Sequence, residues 1–376
     1  MQPPGWGAPP PQQPPSGWPG HPGPGQPGPG GQWGPPQQPW PAPTPPKKRG
    51  AGKWIIGAVA LVAVIAVTVA VTVSVMKNGG VGSSDGGTPV APSDVASAND
   101  KGPVGIMTED PSCAPWTPIN NTLYDVQNHG WSQRDQVAPS STWTPELRAQ
   151  FEAVGKGFRN AADQAVPLAK MTTHRVMREL YTQFIVYSRA YADRIAVYEP
   201  KDDQLARAAS TASLVILYVC SAIESGSAAA RAALVPPQAA PESTAPVGDL
   251  SNPKRLFDSP DPVCADLSPT LQVLLQNSKF KIWVQGDPKV SVGNMTPEQR
   301  ATADEVAQVM SGTASALEQL AAKTSNPIVR DFILLGVQYR RTFVKSMPTY
   351  QPNDQNVYLA GQYAPGVVSM ACNYAM

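Results

Sequence analysis

The residues best suited to chemistry in this 376-residue chain are its four cysteines, because the chain has only three histidines. They are Cys113, Cys220, Cys264 and Cys372. A structural zinc site needs clustered ligands such as C-x2-C, and redox catalysis by paired thiols needs C-x-x-C. The sequence contains neither pattern, so the cysteines predict structural disulfides in an oxidising compartment.

No other pattern in the sequence predicts catalysis. His21, His129 and His174 stand far apart, and no nucleophile elbow, metalloprotease helix or phosphate-binding glycine loop occurs. Glu146 and Glu298 could be regarded as paired acids, but each falls in the first turn of a predicted helix, where the helix dipole favours an anion. We therefore expect a protein that is not an enzyme and has no catalytic residue, no cofactor and no metal site.

The cysteine-containing part of the chain is a tandem duplication. The segment WTPELRAQFEAV at 143–154 returns as MTPEQRATADEV at 295–306. The same offset aligns Trp131 with Trp283 and continues through further Tyr, Pro and Arg positions. Two copies of one structural unit are therefore predicted.

The duplication also predicts how the cysteines pair. Four cysteines can pair in three ways. Cys220 aligns with Cys372, and Cys113 aligns with Cys264 after a gap of one residue. Only the pairs Cys113–Cys220 and Cys264–Cys372 keep each disulfide within one copy, and we predict this pairing.

Each copy has a helical pattern. Thr144 and Thr296 are both followed by Pro and Glu, the arrangement typical of a helix N-cap and first turn. Apolar residues at helical spacing follow in both copies. The segment KIWVQ at 281–285 is the single short strand candidate. The predicted helices cover 144–170, 175–198 and the residues after Asp202 in the first copy, and 296–323, 327–347 and the residues after Asp354 in the second.

These observations predict an all-α fold with two tandem, disulfide-stapled three-helix units, each preceded by an irregular arm. Polar and aromatic residues that occur in both copies are the candidates for an interaction surface. Most such positions hold a bundle together through caps and ion pairs, and the alternative is a groove between the units that binds an anionic or peptide ligand. The candidate interaction residues are Trp131, Trp283, Arg178, Arg330, Arg189 and Arg341.

An uncharged run at 54–76, WIIGAVALVAVIAVTVAVTVSVM, predicts one transmembrane helix. At ~1.5 Å per residue it is about 34 Å long, enough for a hydrocarbon core of ~30 Å. Basic residues at 47–53 precede it, so the positive-inside rule leaves the N-terminus in the cytoplasm and the C-terminal part outside the membrane. A cleaved signal peptide is the alternative, but the run is longer than the usual apolar region of a leader.

The first 46 residues are rich in Pro and Gly and contain no Asp, Glu, Lys or Arg. Such a segment cannot bury enough apolar surface to offset the entropy of ordering it, so we expect a disordered tail. Trp6, Trp18, Trp33 and Trp40 interrupt it, and they suggest that the tail could recruit a cytoplasmic partner. All 28 acidic residues but only 25 of the 29 basic residues lie after the run at 54–76, so the outer part carries a net charge near −3, which argues against a nucleic-acid partner.

The sequence thus predicts a single-pass protein of the cell membrane with an extracytoplasmic C-terminal domain. Its predicted parts are a tail at 1–46, a basic stop at 47–53, a transmembrane helix at 54–76, a flexible linker at 77–110, a first helical unit at 111–234, a Pro-rich linker at 235–262 and a second helical unit at 263–376.

The plan of an uncharged Pro/Gly/Gln/Trp tail, the basic stop Lys47-Lys48-Arg49, one Val/Ala-rich span and an outer domain with cysteines resembles the proline-rich single-pass membrane proteins of mycobacteria and related actinobacteria. Similar proteins accompany large membrane assemblies, including respiratory supercomplexes. The resemblance implies protein partners in a membrane or cell-envelope complex, and it supplies no site residues.

Two functions from different classes follow. The first is a non-enzymatic accessory or scaffold protein whose outer double domain contacts a membrane or envelope complex, and it should expose an apolar or aromatic patch. The second is a sensor or carrier that binds a small lipid or glycan between the helical units, and it should have a deep apolar pocket with a few polar groups.

Overall fold

A computed structural model describes residues 94–259 and 261–376 of the chain. The predictions for the tail at 1–46, the basic stop at 47–53, the transmembrane helix at 54–76 and the first part of the linker lie outside the described residues.

Within the described ranges the protein is all-α, as predicted, with ten α-helices and no strand. Each copy of the duplication contains the three predicted helices. The helices are α1 (Cys113–Asn128), α2 (Pro145–Met171), α3 (Arg175–Arg194), α4 (Asp203–Glu224), α5 (Ser227–Arg231), α6 (Val263–Gln276), α7 (Ser278–Trp283), α8 (Pro297–Ala321), α9 (Pro327–Ser346) and α10 (Asp354–Ala375).

The arm before each three-helix set is mostly helical, which corrects the expectation of an irregular arm. Helix α1 occupies it in the first repeat, and α6 with α7 occupies it in the second. The strand candidate at 281–285 is also corrected, because most of it lies in α7 or in the turn that follows. The Asn277 side chain accepts a hydrogen bond from the Phe280 backbone N–H at 3.0 Å and so caps this short helix. The cap satisfies a free backbone donor that a strand ladder would otherwise have to satisfy.

The main helices begin where the sequence places their caps. The Thr144 hydroxyl accepts from the Leu147 N–H at 3.3 Å at the start of α2. Thr296 does the same for the Gln299 N–H at 3.2 Å, and the Gln299 side chain accepts from the Thr296 N–H at 2.8 Å. This reciprocal pair is a capping box. Backbone hydrogen bonding at the start of α2 lowers the pKa of Glu146, the acid in its first turn.

The third helices of the two repeats, α4 and α10, make the most extensive helix contact and form the centre of the protein. Helices α3 and α9 flank this pair and also touch each other. Disulfides connect Cys113 to Cys220 and Cys264 to Cys372, which is the predicted pairing. Each one ties the arm helix of a repeat, α1 or α6, to the third helix of that repeat and closes a long loop.

Among the described residues, the helical segment Pro200–Glu224 is long and apolar enough to cross a membrane by length and composition. In the structure, 56% of its apolar window is buried inside the protein, against α10 and α3. It serves here as a core helix, because its partners are other helices of the same chain.

Residues 94–112, which we call the strap, pack across both repeats. The prediction of a flexible linker over 77–110 is therefore corrected for residues 94–110. Val95, Val104 and Met107 are buried, and the Met107 N–H donates to the Tyr339 hydroxyl at 3.3 Å. The glycine and proline content of the strap predicts a linker, but its spaced apolar side chains are buried in the folded protein.

The Pro-rich connection at 235–262 also packs against the helices. Leu250, Leu256 and Phe257 are buried. Gln338 of α9 donates to the Pro236 carbonyl at 2.6 Å, and Gln183 of α3 donates to the Lys254 carbonyl at 3.1 Å. Helix side chains therefore satisfy part of the backbone of this connection, as buried carbonyls require.

Candidate functional site

A buried group of charged side chains lies where α3 of the first repeat meets α9 of the second. We call it the inter-repeat cluster; it consists of Asp100, Arg175, Arg178, Glu179 and Asp331. Glu179 and Asp331 occupy equivalent positions in the two repeats, so the duplication brings two carboxyl groups to one place. The four residues on the helices are all buried, which is unusual for charged groups unless they are paired.

Arg175 connects the two repeats and the strap. Its Nε donates to Asp331 Oδ2 at 2.7 Å, and both side chains are about 1% exposed. Its Nη1 donates to the backbone carbonyls of Asp100 and Gly102, each at 3.1 Å. The Asp100 carboxylate in turn accepts from the Arg175 backbone N–H at 2.6 Å. The strap therefore closes over the ion pair and excludes water from it.

Arg178, a candidate interaction residue from the sequence, points into the protein. Its Nη1 donates to the carbonyl of Ser97 at 2.7 Å and to the Ser97 hydroxyl at 3.0 Å. Burial lowers the pKa of Arg178, although the neighbouring Glu179 acts in the opposite direction. Its counterpart Arg330 is half-buried and donates to the Ser243 carbonyl of the inter-repeat connection. Both arginines fasten chain segments that cross the helices.

Glu179 is 3% exposed, and neither of its carboxyl oxygens has a hydrogen-bond donor within reach. Asp331 Oδ1 also has none. Burial raises the pKa of Glu179 well above its usual range, and the negative charge of Asp331 raises it further. An alignment of the repeats shows that both positions are acidic, but only the fold shows that they meet.

The two tryptophans of the candidate set have different environments. Trp131 is buried, its indole N–H donates to the Tyr191 hydroxyl at 3.0 Å, and the Arg134 guanidinium lies 3.5 Å from its ring centre. Trp283 is half-buried and packs edge-to-face on Tyr358, with ring centres 5.1 Å apart. The first tryptophan is a core residue, whereas the second reaches the surface.

The remaining two candidates, Arg189 and Arg341, make ion pairs within their own repeats. Arg189 contacts Asp163 at 2.6 Å and also donates to the Ser251 carbonyl. Arg341 binds Glu318 with two hydrogen bonds of 2.7 Å, and this contact lowers the pKa of Glu318. The structure brings none of these arginines together into a shared anion site.

The sequence analysis missed an apolar surface on α6 and α7. Val273 is 60% exposed, Ile282 is 59% exposed and Val284, just after α7, is 47% exposed. We call this surface, with the half-buried Trp283, the α6–α7 edge. In the first repeat the positions next to Trp131 that match Ile282 and Val284 hold Gly130 and Ser132. This difference between the two copies is the sequence signal that could have predicted the apolar surface.

An open cavity of about 170 Å³ lies between α1 and α2 of the first repeat, lined by Leu123, Val126, Ala153, Lys156, Gly157 and Ala161 among others. It is within one repeat, whereas the carrier hypothesis places a ligand between the two. In the described part of the chain, no three His, Cys, Asp or Glu side chains come together as metal ligands. His174 and His129 contact the backbone carbonyls of Glu109 and Asp125 at 2.9 and 2.7 Å.

Comparison with known proteins identifies the family of this chain. Residues 95–376 match the family described as Mycobacterial ESX-1 associated protein, and the chain belongs to this family. A curated protein of Mycolicibacterium smegmatis (strain MKD8), described only as uncharacterised, is 45% identical over 345 residues, which cover 90% of this chain and 91% of that protein. This similarity extends beyond the residues that the family match covers. No solved structure matches the chain.

Proposed function

We propose that this protein is a non-enzymatic, membrane-anchored accessory protein whose helical double repeat contacts a protein component of the ESX-1 system in the mycobacterial envelope. The family description supplies the system. The α6–α7 edge is the single structural observation that carries the proposal of a docking contact. The predicted transmembrane helix at 54–76 would hold this edge outside the cytoplasmic membrane.

The edge has the properties of a protein contact. Exposed apolar side chains concentrate on neighbouring elements, and aromatic and apolar residues dominate the centres of protein interfaces. Phe280 on the inner side of α7 is buried, so the helix is fixed against α8 and presents Ile282 outward. A preformed surface of this kind binds without a large cost of ordering.

The charges around the α6–α7 edge indicate the chemistry of the partner surface. Lys281 and Lys289 are exposed and make no ion pair with any described residue, whereas Lys279 pairs with Glu305 at 3.1 Å. An apolar centre with free lysines at its rim fits an apolar protein surface that carries acidic residues around it. We therefore commit to such a surface on an ESX-1 subunit as the occupant.

The proposal includes the absence of an enzymatic role. It is supported by the structural contacts that the buried charged groups make. The buried Arg175, Arg178 and Asp331 side chains are held in contacts between helices and with the strap. A carrier function is the second candidate, and the cavity between α1 and α2 favours it, since its apolar walls carry Lys156 at the side.

The test is a purification of full-length protein from native membranes in mild detergent, through a tag after the exposed C-terminal Met376. The variant Ile282→Asp places a charge on the α6–α7 edge and should reduce co-purifying ESX-1 subunits by about tenfold, the effect of a moderate interface residue. Val137→Asp is the matched control, because Val137 is an exposed valine of the first repeat, 65% exposed.

Equal recovery of ESX-1 subunits with both variants would rule out the α6–α7 edge as the contact. If no ESX-1 subunit co-purifies even with the natural sequence, and a lipid or glycan does so in its place, the carrier function replaces the accessory function. Loss of that molecule in a Gly157→Trp variant, which fills the cavity, would then locate it.

A further inference from the structure

The two carboxyl groups of the inter-repeat cluster are incompletely satisfied. Glu179 has no donor for either oxygen, and Asp331 has one for Oδ2, from Arg175, and none for Oδ1. The fold buries both side chains almost completely. A buried carboxylate without donors is costly, and the cost falls when the group binds a proton.

Within the described residues, charged groups act on Glu179 from α3, α9 and the strap. Asp331 acts on it from α9, and two arginines of α3 act on it, Arg175 from one turn earlier and Arg178 from the preceding position. The strap contributes Asp100, whose carboxylate is 3.9 Å from Arg175 and about one quarter exposed. Arg175 donates through Nε to Asp331 and through Nη1 to the strap, while its Nη2 has no partner, and Arg178 donates to Ser97; neither arginine donates to Glu179.

Arg175 lies one helical turn before Glu179 on the same face of α3, so the contact of 2.7 Å between Arg175 and Asp331 places Asp331 against this face, beside Glu179. Two carboxylates both accept hydrogen bonds, so a bond between them requires one proton. We propose that Glu179 and Asp331 form a proton-binding site between the repeats, in which the neutral Glu179 carboxyl donates its O–H to Asp331 Oδ1 while Asp331 Oδ2 keeps its bond with Arg175.

The proposal explains the charge balance of the cluster. With one proton bound, the two arginines are matched by the charges of Asp331 and Asp100. Loss of the proton would add a second negative charge at a position that has no donor to receive it. The bound proton therefore holds α3 of the first repeat against α9 of the second, and the ligand of the site is the proton itself.

The pH dependence has a defined sign. Because burial and then Asp331 raise the pKa of Glu179 in the folded protein, the folded state binds more protons than the unfolded state at every pH between the usual value of 4.5 and the raised value. Stability contributed by Glu179 is present below 4.5 and is lost as pH rises through the raised pKa. Across this window the unfolding equilibrium constant should rise by up to about tenfold per pH unit.

The first test needs no variant. Infrared spectra of the full-length chain in detergent at neutral pH should contain the C=O band of a protonated carboxyl group, and the band should shift when glutamate is labelled with ¹³C. Labelling of aspartate in the same way should leave it in place. Absence of a glutamate-dependent band means that Glu179 is ionised, and this result overturns the proposal.

The second test compares urea unfolding of three full-length proteins between pH 5 and pH 8. Glu179→Gln keeps the shape and a donor for Asp331, so it should remove the alkaline loss of stability that the natural chain shows. Glu318→Gln is the control: it removes an acid whose pKa is lowered, so it should leave that loss unchanged. If Glu179→Gln and the natural chain have the same pH profile, the proton site does not exist; if the variant fails to fold, the infrared result decides.

Discussion

The close contact between α9 and α10 allows a quantitative prediction with Gly336. A Cβ atom added at Gly336 would lie 2.6 Å from Cδ of Pro365 and 3.3 Å from the carbonyl oxygen of Gly361, both on α10. Pro365 is a rigid ring in a buried stretch of helix, so it cannot rotate away as a flexible side chain would. Gly336→Ala should therefore force the two helices apart.

The magnitude follows from two opposing effects. Alanine in place of glycine favours a helix interior by about 0.5–1 kcal/mol. Overpacking against a rigid neighbour costs about 2–3 kcal/mol, the upper part of its usual range. The net expectation for Gly336→Ala is a loss of about 1–2.5 kcal/mol in the free energy of unfolding.

Gly312 provides the matched control, because it also lies inside a helix, α8, and an added Cβ would meet nothing within 4 Å. Gly312→Ala should stabilise the protein by about 0.5–1 kcal/mol. Urea unfolding of the two full-length variants, with unchanged m-values, measures the difference. If Gly336→Ala is as stable as Gly312→Ala, the close approach of α9 to α10 at Gly336 and Pro365 is refuted.

Three further predictions concern the disulfides, a surface ion pair and the topology. Peptide mapping without reductant should detect a peptide pair that links Cys113 to Cys220, and a pair that links Cys220 to Cys264 would contradict the fold. Loss of the first disulfide in Cys220→Ser should lower the free energy of unfolding in urea by up to about 4–5 kcal/mol, reduced by any residual structure in the unfolded chain. Because Arg341 lowers the pKa of Glu318, this ion pair stabilises the folded protein above the usual carboxyl pKa and loses its effect as pH falls through the lowered value. Glu318→Gln should therefore cost no more than about 1 kcal/mol at pH 7 and nothing in strong acid, as measured by pH-dependent unfolding. A protease added outside intact cells should leave the tail at 1–46 protected, whereas digestion of the tail would reverse the predicted orientation.

Local signals in the sequence predicted much of the fold. Thr144 and Thr296 marked helix starts because a capping hydroxyl acts on backbone groups only a few residues away. The duplication predicted the disulfides, since aligned cysteines in two copies leave one pairing that stays within each copy. These inferences need no knowledge of distant contacts, and the structure confirms them.

Other features depend on contacts between distant parts of the chain. The strap at 94–112 has the composition of a linker, and only the packed repeats bury its valines and Met107. The sequence does not distinguish the buried Arg178 from an exposed arginine, yet the strap covers it in the structure. Helix α7 was missed because Asn277, its cap, acts on a segment too short to show helical periodicity.

The sequence by itself determined the helical class, the two repeats, the disulfide partners and the starts of the main helices, because these follow from periodicity, capping and internal similarity. The tertiary structure decided which of the repeated charges are buried, that Glu179 meets Asp331, and that Ile282 faces outward while Trp131 does not. Burial and pairing depend on how α3, α4, α9 and α10 pack, and this packing is the sum of many contacts between residues far apart in the chain.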